Sequence, residues 1–295
     1  MRSKHGEPAY TLVELLVCIA IFSVLVGLLL PAVQKARAAV QRTTCENNLR
    51  QIGIALHGYH DTHESFPSGV RGPLSGSYPF MSWNAAILPY LGQGNLWNSI
   101  RGAYLQNPNF LAIPPHLHRG TVVTTFACPA DPRSLSPASK LLPLEIAFTS
   151  YLGIEGTDFR REDGVLFLDS TIRMTDIVDG TSNTLLVGER PPSADEKLGW
   201  WYAGWGQSQD GSAEMVLGVS ELNVSYPQCF RGPYRFGQGR INNQCDCFHF
   251  WSLHPGGGAN FLLADGSIHF LSYSAASVMP ALATRAGGEA VSLSD

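Results

Sequence analysis

The feature that most constrains this chain is an apolar block near its start, from Tyr10 to Leu30, which contains one carboxylate, Glu14, and is followed by Pro31. A helix of about 20 residues is long enough to cross the roughly 30 Å hydrocarbon core of a membrane. An unpaired charge at the centre of such a helix costs roughly 2.5–3.5 kcal/mol on insertion scales. Glu14 therefore needs either a position at the membrane edge or a partner that neutralises it.

Three interpretations of this block compete. A cleaved secretory signal has a shorter apolar core, followed by a small-x-small cleavage site. A plain membrane anchor fits the length but gives no reason for Glu14. Cleavage between Ala9 and Tyr10 places Glu14 one helical turn from a new α-amine, where the helix N-terminus also favours a negative charge by about 0.3–1 kcal/mol. We favour the third interpretation, because it accounts for the carboxylate.

Composition limits the function of the remaining chain. The 295 residues are 44% hydrophobic and carry a net charge of −4, which fits a folded and slightly acidic protein. No long basic run follows the first nine residues, so nucleic-acid binding has no electrostatic basis. Nucleophile-elbow, P-loop, HExxH and Rossmann patterns are all absent from the sequence, and we expect that the protein is not an enzyme.

The helical pattern continues beyond Pro31. Apolar residues recur at mostly three- and four-residue steps from Val33 to Tyr59, which predicts an amphipathic helix that Pro67 and Gly69 terminate. The predicted parts of the chain are a leader over 1–9, a transmembrane helix over 10–31, its amphipathic continuation over 32–60, and a β-rich head over 61–295.

Short apolar runs predict strands in the head, at 163–168, 184–189 and 199–205. The clearest element is 259–272, where two apolar runs flank Asp265-Gly266 and predict a C-terminal hairpin with a type I′ turn. The predicted fold class is therefore α+β. In this fold a long N-terminal helix, half membrane-spanning and half amphipathic, packs on an antiparallel β-sheet head.

The N-terminal segment resembles the type IV prepilin signature of pilins and type II secretion pseudopilins. The matching features are a basic leader, a small residue before the cleavage site, an aromatic residue after it, and a Thr-Leu-x-Glu sequence. These features correspond here to Arg2 and Lys4, Ala9, Tyr10, and residues 11–14.

This resemblance implies roles for individual residues and names partners. A prepilin peptidase would cleave between Ala9 and Tyr10 and N-methylate Tyr10. Glu14 would pair with a neighbouring subunit's amine during assembly, and Pro31 corresponds to a helix-kinking proline of that family. The implied partners are the peptidase, other pilin-like subunits and the inner membrane, which a single helix spans before assembly, with the head in the periplasm or at the cell exterior.

The similarity extends along most of the chain. The protein resembles a large, functionally uncharacterised bacterial family of prepilin-like proteins with a C-terminal His-x9-Asp-Gly signature. The signature residues here are His254, Asp265 and Gly266, with ten residues between the histidine and the aspartate. The segments that carry the resemblance are 45–67, 128–132 (CPADP), 176–189 (DIVDGTSNTLLVGE) and 254–271.

Several residues are candidates for a site. His254 and Asp265 are candidates for a metal or acid–base pair, although both also fit a loop and a turn that serve the backbone alone. Asp176, Asp179 and Asn183 offer hard oxygen donors, and because pseudopilin heads often carry calcium, the resemblance makes calcium their candidate ligand. The alternative is an Asp-Gly turn before a strand.

Cysteines after the apolar block predict disulfides if the head is exported. Cys45 and Cys128 fall in two of the family-like segments, and we predict a disulfide between them that joins the helix to the head. Cys229 with either Cys245 or Cys247 is the second candidate pair.

The sequence thus favours a pilin-like or pseudopilin structural subunit that assembles into a type IV pilus-like or type II secretion-like filament. One rival is a membrane-anchored extracytoplasmic binding protein or enzyme that uses a prepilin-type export signal without polymerising. A second rival is a minor tip subunit, which the large head slightly favours. Substitution of Glu14 by alanine separates filament assembly from head activity.

Overall fold

The structure is a computed structural model that describes residues 12–137 and 145–289. The chain divides into two compact units, Met1–Val40 and Gln41–Asp295. The predicted cleavage residues Ala9 and Tyr10 lie outside the described residues.

A single helix, α1, runs from Leu12 to His63 and continues through Pro31. It ends before Glu64, which has a positive φ of 60°, and before Pro67. The first half of α1 is long and apolar enough to cross a membrane, and its large apolar side chains are exposed, as at Phe22, which is 68% exposed. The predicted long N-terminal helix is confirmed.

The second half of α1 is amphipathic and contributes one face to the core of the second unit. Cys45, Leu49, Ile52 and Leu56 recur at three- and four-residue steps and are fully buried. This spacing places them on one side of the helix. Gly53 lies on the same side, and a Cβ atom there would stand 3.0 Å from the Leu262 side chain. Glycine therefore allows α1 to approach the sheet closely.

The head contains a five-stranded sheet in the order β3-β1-β2-β6-β7 and a separate pair, β4-β5. The strands are β1 (Tyr151–Gly156), β2 (Leu185–Glu189), β3 (Val216–Gly218), β4 (Ser220–Glu221), β5 (Tyr234–Arg235), β6 (Gly258–Leu263) and β7 (Ile268–Ser272). Short helices complete the head at α2 (Trp83–Ala86), α3 (Gly94–Gln106) and α4 (Met279–Ala283).

The α+β class is confirmed, but the sheet is mixed rather than purely antiparallel. Three of its pairings are antiparallel, whereas the edge strand β3 lies parallel to β1. Two predicted strands are wrong. Residues 163–168 form an irregular bent segment, with amides that hydrogen bond to the carbonyls of β1 residues Glu155 and Ile154 and an isolated bridge at Leu168. Residues 199–205 contribute only isolated bridges, at Trp200 and Ala203.

The C-terminal hairpin is present as β6 and β7, with a different turn from the predicted one. Gly266 has a φ of 88°, but Asp265 is not among the residues with positive φ, as a type I′ turn requires. The Gly266 amide donates to the Leu263 carbonyl and the Leu263 amide to the Ser267 carbonyl. The turn is therefore longer than two residues, with the glycine alone in the left-handed region.

The sheet separates two hydrophobic clusters because successive side chains of a strand point to opposite faces. One face carries Tyr151 and Leu262 and packs in the cluster that includes the buried side of α1. The other face carries Leu152, Phe261 and Leu263 and packs with α4 and with aromatic side chains from the 236–250 segment. The helix, the end of β2 and the loop before β6 frame the site described next.

Candidate functional site

The predicted assembly residues lie on α1. Glu14 is in the first turn of the helix as the structure describes it, and Pro31 is inside the helix. A carboxylate in a first turn interacts favourably with the partial positive charge of the helix N-terminus. The pairing of Glu14 with a mature α-amine stays a prediction.

The main group of reactive side chains lies in the head. We call Cys45, Cys128, Glu189 and His254 the Cys–Glu–His cluster. Each offers one sulfur, nitrogen or oxygen atom, all four atoms lie within 4.8 Å of one another, and all four residues are buried. In the described part of the chain, this is the one group of three or more such residues with metal-ligand spacing.

The cluster contains one disulfide, and His254 contacts both this disulfide and Glu189. Cys45 and Cys128 form a disulfide with Cα atoms 5.6 Å apart. His254 Nε2 lies 3.6 Å from Cys128 Sγ and 3.2 Å from Glu189 Oε1. The cluster therefore places a disulfide, an imidazole and a carboxylate side by side in a buried position.

Each member of the cluster comes from a different element. Cys45 is on α1, Cys128 follows a short 3-10 turn, Glu189 is the last residue of β2, and His254 lies in the loop before β6. These are also the four segments on which the family resemblance rests. The segments that are far apart in the sequence therefore converge on one buried point.

Glu189 is held by the neighbouring strand. The backbone amide of Asn260 donates to Glu189 Oε2 at 2.7 Å, and Asn260 Nδ2 donates to Glu189 Oε1 at 3.0 Å. Glu189 and Asn260 lie in two of the segments that carry the family resemblance, but the sequence did not predict either as a site residue. The available signal was a carboxylate that directly follows the apolar run of β2, where a side chain is buried and must find partners.

The backbone positions His254 from the other side. Its amide donates to Ser252 Oγ at 3.1 Å, and that hydroxyl donates to the Gly258 carbonyl. His254 Nδ1 is buried and has no hydrogen-bond partner among the described residues. Nε2 is thus the ring nitrogen that faces the cysteine and the carboxylate.

A tyrosine and an asparagine close the site beside α1. Asn48 Nδ2 donates to the Ala127 carbonyl at 3.0 Å and to the Tyr151 hydroxyl at 3.2 Å. Burial raises the pKa of Tyr151 well above its ordinary value, and the nearby Glu189 carboxylate raises it further. Tyr151 therefore remains a neutral hydroxyl next to the cluster.

The two signature residues His254 and Asp265 do not form a pair. Strand β6 lies between them, so they occupy opposite ends of the hairpin. Asp265 is exposed in the turn, where its Oδ1 accepts a hydrogen bond from the Ser267 amide at 2.8 Å. His254 belongs to the buried cluster, and Asp265 with Gly266 shapes the turn.

The candidate calcium residues are engaged with the backbone in the described chain. Asp176 accepts from the Arg173 amide at 2.8 Å, and Asp179 accepts from the amides of Gly287 and Gly288 at 2.6 and 2.8 Å. Asn183 Nδ2 donates to the Asp179 carbonyl. The Asp179 carboxylate thus fastens the C-terminal segment, and calcium binding by this trio stays a prediction.

The second disulfide joins Cys229 to Cys245, across a separation of 16 residues. Cys247, the alternative partner, is a buried free thiol. Burial raises the pKa of Cys247 to about 12, so its thiolate is disfavoured at neutral pH.

Glu155 on β1 and Glu221 on β4 form a buried pair of glutamates. The sequence did not predict this pair, because the two strands are far apart along the chain. Burial raises the pKa of Glu155 well above its ordinary value, and the adjacent Glu221 carboxylate raises it further. Glu221 accepts from the amides of Gly218 and Leu222 at 2.8 Å. Burial also raises the pKa of Glu221, but hydrogen bonds from these amides oppose that shift, so Glu155 is the member of the pair that more strongly favours the neutral form.

A cleft of about 400 Å³ lies elsewhere on the head. Trp205 and Tyr226 supply aromatic surface, Asp195 and Lys197 supply charge, and Glu214 lies at its buried side. Clefts of this size with aromatic walls and a few polar groups are suited to small ligands.

Comparisons with known families match both parts of the chain. Residues 34–277 match the family described as "Protein of unknown function (DUF1559)", and residues 5–30 match the family described as "Prokaryotic N-terminal methylation motif". No curated protein and no solved structure matches the chain. The methylation motif covers Ala9, Tyr10 and Glu14 and implies processing by a prepilin peptidase and association with a membrane.

Proposed function

Because the chain belongs to the DUF1559 family and carries a prokaryotic N-terminal methylation motif, we propose that it is a pilin-like structural subunit of a type IV pilus-like or type II secretion-like filament. In this role the helix is inserted in the inner membrane, cleaved between Ala9 and Tyr10 and methylated on Tyr10. The head stands in the periplasm or outside the cell, and its role is structural rather than catalytic.

The observation that carries the proposal is the combination of the methylation motif with α1. The helix presents an apolar first half with exposed side chains and a second half with a buried face in the head. Such a first half is suited both to lipid before assembly and to packing against other such helices after it. Glu14 in the first turn is the charge that a neighbouring subunit's amine neutralises.

The test of assembly is substitution of Glu14 by alanine. We expect Glu14→Ala to be inserted and cleaved normally but to yield no sheared filaments, because the carboxylate that registers one subunit against the next is gone. Glu46→Ala is the matched control, since Glu46 lies on the same helix and makes only a partly exposed pair with Arg42, at 3.0 Å. Filaments of Glu14→Ala at the wild-type level would contradict the proposal.

The second candidate function is an anchored binding protein that does not polymerise, and the aromatic cleft favours it. Trp205 and Tyr226 are partly exposed in that cleft and could contact a small ligand. The same experiment separates the two functions. If wild-type protein is cleaved and methylated but never sediments as filaments when co-expressed with an assembly system, the anchored binding protein is supported.

A further inference from the structure

The disulfide between Cys45 and Cys128 differs from the second disulfide in its surroundings. His254 Nε2 and Glu189 Oε1 lie beside its sulfurs, whereas Cys229 and Cys245 belong to no such group in the described residues. A disulfide that only fastens two segments needs no imidazole or carboxylate next to it. The composition of the cluster therefore points to a second state of the same four side chains.

We propose that the Cys–Glu–His cluster binds one Zn²⁺ ion when the bond between Cys45 and Cys128 is reduced. The ligand atoms are the two Sγ atoms, His254 Nε2 and Glu189 Oε1. Formation of the disulfide removes both thiolates and releases the ion. The proposal concerns the head alone and is independent of filament assembly.

The set of donors selects the kind of metal. Two thiolates and an imidazole favour zinc over calcium or magnesium, which prefer oxygen ligands. Structural zinc sites are tetrahedral and are closed by four protein ligands drawn from cysteine, histidine and carboxylate side chains. The cluster offers four such ligands in a buried position, without an open place for substrate.

The spacing of the donors fits the same geometry. Ligand atoms at about 2.0–2.3 Å from a tetrahedral zinc are about 3.3–3.8 Å from one another. His254 Nε2 is 3.6 Å from Cys128 Sγ and 3.2 Å from Glu189 Oε1, so two edges of the tetrahedron are nearly formed. The edge between the two sulfurs lengthens once their covalent bond is broken.

Neighbouring groups already orient the carboxylate. Asn260 donates from its backbone amide to Glu189 Oε2 and from its side chain to Oε1, which fixes the plane of the carboxylate. Outer partners of this kind orient metal ligands, and their loss typically weakens metal binding by about 10–100-fold. A cavity of about 10 Å³, about the size of one water, lies against Cys128 and Glu189.

A phosphine can reduce the bond between Cys45 and Cys128, with one water as the source of oxygen and protons. The phosphine gives two electrons to the S–S bond and takes the oxygen of one water, while each sulfur takes one of that water's protons. Zn²⁺ then displaces both thiol protons as it binds, so binding weakens as the pH falls. An added disulfide, such as oxidised glutathione, restores the Cys45–Cys128 bond by exchange and is itself reduced to two thiols.

The test uses the full-length protein in detergent, reduced with a phosphine under argon and mixed with Zn²⁺. Free metal is removed by gel filtration, and bound zinc is measured by mass spectrometry of the metal. We expect one zinc ion per chain in the reduced protein and none in the oxidised protein. Zinc X-ray absorption should show two sulfur and two nitrogen or oxygen neighbours.

Variants assign the site. Cys45→Ser with Cys128→Ser should lose the zinc, whereas Cys229→Ser with Cys245→Ser is the matched control and should keep it. His254→Cys should still bind zinc but with three sulfur neighbours, which a purely structural histidine would not produce. Circular dichroism on every variant checks that it is folded.

Three results would overturn the proposal. The first is a reduced wild type that retains no zinc after gel filtration. The second is equal zinc in the reduced wild type and in the variant that lacks Cys45 and Cys128, which would show that the metal binds elsewhere. The third is a sulfur count of two in both the wild type and His254→Cys, which would show that His254 is not a ligand.

Discussion

Glu189 joins parts of the head that are distant in the sequence. Its carboxylate accepts hydrogen bonds from Asn260 and contacts His254, which in turn contacts Cys128. The side chain is 2% exposed, so each of these partners compensates for the loss of water around a polar group. At the scale of single residues, the buried polar groups of this head are therefore organised in specific partnerships.

Glu214 is a second buried carboxyl group, and it makes stability depend on pH. Burial raises its pKa to about 8, although the Gly206 amide and the Arg190 guanidinium partly oppose this shift. Between the unfolded value near 4.5 and about 8, the folded state holds a proton that the unfolded state has lost. Stability from this group is thus full below pH 4.5 and falls as the pH rises.

We expect the free energy of unfolding to fall by up to about 1.4 kcal/mol per pH unit across this range because of Glu214. Glu214→Gln, which mimics the neutral acid, should remove this contribution. Urea unfolding of the detergent-solubilised protein at several pH values measures the slope. Glu46→Gln, at the helix surface, is the control, and an unchanged slope in Glu214→Gln would count against the explanation.

At the scale of elements, the two halves of α1 have different surroundings. Its first half has exposed apolar side chains, and its second half has one buried face. A change in the hydrophobic pattern at Pro31, from uniformly apolar to amphipathic, is visible in the sequence and predicts this division. Within this chain, packing against the head therefore stabilises the second half of the helix.

Two isoleucines on α1 test this packing. Ile52 is fully buried, whereas Ile54, two residues later, is 66% exposed. We expect Ile52→Ala to lower the free energy of unfolding by about 2–5 kcal/mol, because it removes core contacts and leaves a cavity. Ile54→Ala should change it by less than about 0.5 kcal/mol. Equal effects in urea unfolding would show that this face does not pack as described.

The two disulfides stabilise the head to different extents, because they close loops of different length. Cys45 and Cys128 are 83 residues apart, and Cys229 and Cys245 are 16 apart. Loop-closure entropy predicts stabilisation of about 4.5 and about 3 kcal/mol, respectively. Replacing each pair by serine in oxidised protein and comparing unfolding free energies measures this difference. A larger loss for the Cys229 pair than for the Cys45 pair would contradict it.

At the scale of the whole molecule, the sequence predicted the parts with strong local patterns. The long helix and the C-terminal hairpin are confirmed, because apolar periodicity and an Asp-Gly turn are local signals. The parallel β3 pairing and the glutamate pair on β1 and β4 could not be predicted, since they depend on contacts between distant segments. Residues 163–168 were mistaken for a strand because a buried turn and a buried strand are equally apolar.

The same limit applies to the candidate site. The sequence predicted the pairing of Cys45 with Cys128, which is confirmed, but it paired His254 with Asp265 rather than with Glu189 and the disulfide. Only the strand order β2-β6 brings the end of β2 next to the loop before β6. Convergence of the four segments is thus a property of the folded head.

The most direct test of the prepilin interpretation is the mass and N-terminal sequence of the protein isolated from membranes. We expect a chain that begins at Tyr10 and carries one methyl group on its α-amine, because the N-terminal methylation motif matches residues 5–30 and implies processing by a prepilin peptidase. The cells must contain an active prepilin peptidase. If the protein isolated from their membranes still begins at Met1 and is unmethylated, this interpretation is contradicted.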